Sequence, residues 1–72
     1  MMDENTIKYI ISRIIANAND AIKEHRENAG DFYDGKTLAY YEVLDTIKNE
    51  LEIRDQNLKE FGLDIDLEKE FL

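Results

Sequence analysis

Seventy-two residues, 43% of them hydrophobic and 36% charged, with a net charge of −8, describe one small acidic domain with limited capacity to bury its own surface. The absence of cysteine excludes disulfide staples, a thiolate zinc site and thiol catalysis. The acidity argues against nucleic acid and anionic membranes as partners. It is also lopsided: residues 1–36 carry 5 Lys/Arg against 7 Asp/Glu (−2), residues 37–72 carry 4 against 10 (−6).

Proline is absent and glycine rare, while Ile, Leu, Glu, Lys and Ala dominate, which is the composition of an all-α chain. The opening MMDEN is acidic where a secretory signal is basic, and IKYIISRIIANA is interrupted by Lys8 and Arg13. Neither a signal peptide nor a membrane span fits, so the expected location is cytoplasmic.

Helix one is expected at about residues 4–29. Ile7, Ile11, Ile14, Ala18, Ala21 and His25 recur at alternating steps of four and three, the signature of a helical stripe. Ile10, Ile15 and Ile22 widen it beyond a two-helix seam. Asp3 or Asn5 caps its start, and Gly30 is placed to end it.

A turn is expected at about 30–34, with Asp34 as the N-cap of helix two at about 35–61. Tyr40, Leu44, Ile47, Leu51, Leu58 and Phe61 carry the second stripe, broken by Arg54. At RDQN, residues 54–57, a break with a separate turn at 57–61 competes with a continuous helix; the expectation is continuity. A hairpin turning near 32–33 pairs residues whose numbers sum to about 65. That register sets His25 by Tyr40, Ala21 by Leu44, Ala18 by Ile47, Ile14 by Leu51 and Ile7 by Leu58.

The tail, about 62–72, reads LDIDLEKEFL after Gly62. Its alternation over 63–67 followed by helical spacing predicts a short extended piece, capped by Asp66, and one turn of helix. Leu63, Ile65, Leu67, Phe71 and Leu72 predict docking on the hairpin or on a neighbouring subunit. Two helices alone leave Ile10, Ile15, Ile22, Tyr41 and Val43 uncovered. Ile10, Ile15, Ile22 and Val43 are therefore the candidate self-association face, and a homodimer or tetramer forming a four-helix bundle is the expected assembly.

GDFYDGKT, residues 30–37, matches the G-x-x-x-x-G-K-[ST] phosphate-loop pattern. A working phosphate loop lies between a buried strand and a helix start. Here the polar, helical AIKEHRENA precedes it, and Asp31 and Asp34 set two carboxylates against any triphosphate. The expected reading is a helix-to-helix turn. His25, the sole histidine, is expected to pack by Tyr40 or Tyr41 rather than act as a base. Asp64, Asp66, Glu68 and Glu70 lack the glycine and length of a calcium loop and are read as a cap and a solvated face. No catalytic residue, cofactor or metal is expected. Phe32, Tyr33, Tyr40 and Tyr41 gather at the turn end, either as a core plug or as a candidate partner-binding surface.

The stretch GKTLAYYEVLDTIKNEL followed by LKEFGLDIDLEKEF, within residues 35–72, resembles small uncharacterised proteins of Firmicute bacteria and their mobile elements. The resemblance implies a bacterial cytoplasmic helical protein and brings no reaction or site residues with it. The leading functional expectation is a non-enzymatic, self-associating structural or protein-interaction module. The alternative is an acidic antagonist, antitoxin-like or a DNA mimic, that binds a basic protein. A nucleotide binder at GDFYDGKT is the remote third.

Overall fold

Asp3 starts the first helix by accepting a hydrogen bond from the Thr6 backbone N–H on Oδ1 at 2.7 Å. That bond holds the Asp3 carboxyl below the ordinary carboxylate range. In the computed structural model, which describes residues 3–72, α1 (Glu4–Glu27) runs from this cap to Asn28. There the backbone turns extended and the helix stops, with the Asn28 backbone N–H and Nδ2 both donating to the Glu24 carbonyl at 2.9 Å. The stop comes before Gly30, which caps α2 (Asp31–Ile53) instead.

Gly30 sits at φ 135° and ψ 163°, a region open in practice to glycine alone. The connection is therefore three residues long, and α2 starts before the expected turn has ended. Asp34 lies in its first turn rather than at its cap. The register moves accordingly. His25 meets Asp34 and Glu24 meets Lys36, pairs whose numbers add to 59 and 60, not 65. At the turn end the register is thus offset by five or six residues, more than one helical turn, from the predicted one.

The second correction is at RDQN. α2 ends at Ile53, and the continuous helix to residue 61 does not form. Asp55 adopts a left-handed conformation at φ 56°. The Asp55 N–H then reaches the Glu52 carbonyl, and the Gln56 N–H reaches the Leu51 carbonyl. This is a Schellman ending built without glycine. A 3-10 turn, Leu58–Phe61, follows and closes with the same pair of bonds around left-handed Gly62: the Gly62 N–H donates to the Lys59 carbonyl and the Leu63 N–H to the Leu58 carbonyl.

The chain then passes through an extended piece to α3 (Leu67–Phe71), where Asp66 Oδ1 accepts from the Lys69 N–H at 3.2 Å. The long axis of the molecule, 39 Å, is close to the length of α1 alone, about 36 Å at 1.5 Å per residue. The tail therefore folds back along the hairpin. It crosses from the first half of α1 to the middle of α2. Lys8 reaches Glu60 at 3.7 Å and lies 5.5 Å from the Phe61 ring centroid. Lys48 donates to the Ile65 carbonyl at 2.7 Å, and Tyr41 donates to Glu68 at 3.1 Å.

This third layer completes the core. Ile11, Ala18 and Ile22 of α1 and Leu44 of α2 are buried with Phe61, Leu63, Leu67 and Phe71 of the tail. Burying a leucine side chain contributes about 1.5–3 kcal/mol, and Leu63 and Leu67 are both fully covered. Ala18, in the middle of this cluster, gives the larger side chains around it room to close.

Candidate functional site

Because the tail covers only one side of the hairpin, the other side stays open. Between the first half of α1 and the last half of α2 lies an apolar groove of about 390 Å³. Ile7, Ile10, Ile11 and Ile14 form one wall; Ile47 and Leu51 form the other. Thr46, Glu50 and Arg54 edge it, with Glu50 and Arg54 paired at 3.3 Å. Most of its lining comes from the two stripes whose spacing predicts a closed seam. Without a layer on this side, Ile14, Ile47 and Leu51 are only half-buried, and Ile7 and Ile10 are exposed.

The candidate self-association residues divide between the two sides. Ile22 is buried, and Ile15 packs against the core, close to where the tail turns at Gly62. Ile10 lines the groove, and Val43 stands exposed on α2. The four aromatics divide as well. Phe32 and Tyr33 meet edge to face at 5.2 Å, and Phe32 is 70% exposed. Tyr40 and Tyr41 pack on the core, and the Tyr41 hydroxyl is engaged by α3. Its hydrogen bond to Glu68 raises the Tyr41 hydroxyl above the ordinary phenol range.

The other candidate sites are also tied into the fold. The hydrogen-bond partner of His25 is Asp34, with Nε2 at 2.5 Å from Oδ1. GDFYDGKT is the N-cap and first turns of α2, so the segment forms no backbone cradle for phosphate. Its Lys36 is bound to Glu24 at 2.9 Å, a bond that raises the Lys36 ammonium above its ordinary range. Its Thr37 is buried, with Oγ1 unpartnered among the described residues. Of the tail acids, Asp66 caps α3 and Glu68 receives Tyr41. No group of three His, Asp or Glu side chains that could hold a metal occurs among the described residues.

Lys48 is the residue that sequence reasoning missed. On the helical wheel it is one more charge on α2, and nothing in its spacing shows that a carbonyl of the tail lies above it. Arg54, which interrupts the stripe in the sequence, stands at the mouth of the groove. No helix among the described residues is long and apolar enough to cross a membrane. No protein-family model matches the chain, and neither a curated protein nor a solved structure matches it significantly.

Proposed function

We propose that this chain is a non-enzymatic, self-associating interaction module, whose hairpin joins a second copy to form a four-helix bundle. The observation that carries the reading is the open groove. Six isoleucine and leucine side chains line it, its charged residues stand at the edge, and the tail that seals the opposite side does not reach it. Apolar surface left in contact with water costs about 25 cal/mol per Å², so a face of this kind is stabilised by a partner.

A second copy is the occupant because the molecule itself carries uncovered apolar side chains, Phe32 and Val43 among them, to set against that open side. The test is mass in solution by light scattering over a wide range of protein concentration. The expected mass is twice the 8.5 kDa of one chain. A monomer at every concentration refutes the proposal.

A further inference from the structure

α2 carries a second stripe besides the one that meets α1 and the tail. Phe32, Lys36, Val43, Glu50 and Ile53 follow one another along its outer side, with Ala39 and Thr46 in the intervening places, at steps of four and three. Phe32 and Glu50 are eighteen residues apart, about five full turns at 3.6 residues per turn, so the stripe runs straight along the helix. Glu50 and Thr46 edge the groove, which puts the whole stripe on the open side. Its apolar members are uncovered: Phe32 is 70% exposed, Val43 46% and Ile53 71%.

We propose that two copies pair through this stripe, α2 against α2 and antiparallel, about a two-fold axis at Val43. The inference rests on the self-association proposed above and specifies its surface. In an isologous contact each residue meets the one equally far beyond the axis. Lys36 lies seven residues before Val43 and Glu50 seven after, so Lys36 of each copy faces Glu50 of the other, twice over.

Each of these charges keeps its neighbour in its own chain, Glu24 for Lys36 and Arg54 for Glu50. The contact therefore brings together a row of charges of alternating sign. Phe32, eleven residues before the axis, falls opposite residue 54 of the other copy, about 16 Å from the axis at 1.5 Å per residue. That is the mouth of the groove, where Arg54 stands beside Leu51, Ile7 and Ile10. An exposed ring at the turn end of each hairpin thus meets an apolar slot at the far end of the other. A parallel pairing would set Lys36 on Lys36 and Glu50 on Glu50, and would leave Phe32 away from the slot.

The chain has no cysteine, so Val43→Cys introduces a single thiol at the axis. Tyr9→Cys places one on the far side of α1 from Ile7, where the side chain is also exposed. A short bis-maleimide reagent is expected to link Val43→Cys chains into dimers and to leave Tyr9→Cys chains largely unlinked. Lys36→Glu and Glu50→Lys are each expected to raise the dimer dissociation constant about tenfold, and the double variant to recover most of that loss. Phe32→Ala is expected to raise it about tenfold or more. Tyr9, Phe32, Val43 and Glu50 are exposed and Lys36 is half-buried against Glu24, so helicity by circular dichroism checks that each variant is folded.

If light scattering shows a dimer but Tyr9→Cys links as readily as Val43→Cys, the seam is wrong while self-association stands. A double charge variant that shows no recovery also rules out the seam. A monomer at all concentrations overturns both.

Discussion

Leu67→Ala tests whether the tail is part of the core. α3 has five residues, far below the length at which a helix is stable alone, so its order depends on what it buries. Leu67 is 1% exposed within the cluster that joins both long helices. Truncation to alanine removes three carbons, worth about 0.8 kcal/mol each in transfer, and leaves a cavity; together these cost about 2–5 kcal/mol. A chain of this size has a total stability of about 4–11 kcal/mol at 0.05–0.15 kcal/mol per residue. The substitution therefore removes a large share of what holds the protein folded. Urea unfolding followed at 222 nm, with wild type and variant at the same protein concentration, is the assay. Equal concentration matters because an assembling chain gains stability by mass action. With a denaturant slope of about 1 kcal/mol/M, the midpoint is expected to fall by about 2 M or more. Leu72→Ala, at 73% exposure, serves as the control and is expected to change stability by less than about 0.5 kcal/mol. If Leu67→Ala costs no more than the control, the tail is not the third layer.

Gly30→Ala is expected to cost about 1–3 kcal/mol, although nothing lies within 4 Å of the added carbon, because only the backbone conformation forbids it. Asp55→Gly acts in the opposite sense, relieving a left-handed residue at φ 56°, and is expected to raise stability by up to about 1 kcal/mol. Unfolding midpoints check both. Thr37→Val replaces a buried hydroxyl without a partner by a methyl group, and is expected to stabilise by about 1 kcal/mol; a loss of that size would show that Oγ1 has a partner after all. Asp3 is depressed in the folded state, so its contribution is complete above the unfolded value near 3.8 and is lost as pH falls through the lower folded value. Asp3→Asn keeps a capping oxygen but cannot titrate. Fraying of the start of α1 on acidification, followed by amide NMR, is expected to lose its Asp3-dependent part in that variant.

The two long helices were legible because the stripes in ENTIKYIISRIIANAND and LAYYEVLDTIKNEL have one period and several turns each. Their register was not, and the reason is local. Asp34 is a better capping residue than Gly30 by propensity, yet Asn28 had already ended α1, and Gly30 alone tolerates the dihedrals that turn the chain in three residues. Moving the cap by four residues moves the pairs beside the turn by more than a helical turn. The break at RDQN was visible as a competing reading. It prevails because Asp55 enters the left-handed region, which aspartate tolerates better than most residues, and so frees Leu58, Phe61 and Leu63 to cross onto α1. The tail's burial could be read from its apolar residues, but not its landing place. Leu63 and Leu67 fit any apolar face equally well, and the contacts that select one, Lys48 to Ile65 and Tyr41 to Glu68, have no sequence period.

The outer stripe of α2 escaped notice for a related reason. Thr37, Tyr40, Leu44, Ile47 and Leu51 form a strong inner stripe, and Phe32, Ala39, Val43, Thr46 and Ile53 lie about 100° round the helix from it. Overlaid, the two read as one broad, blurred face. A helix apolar over so wide an arc belongs in the interior of an assembly. Within one chain, α1 and the tail cover only the inner part. The back of α1 is different: Arg13, Lys23 and Arg26 alternate there with Asp20 and Glu27, and those positions are exposed. The asymmetry between the helices supports the proposed seam, since the outer side of α1 carries one exposed aromatic, Tyr9, among charged residues, while that of α2 carries Phe32, Val43 and Ile53. In the proposed dimer the α2 stripe would therefore form the seam, with Ile7 and Ile10 of α1 covered only where the groove is filled.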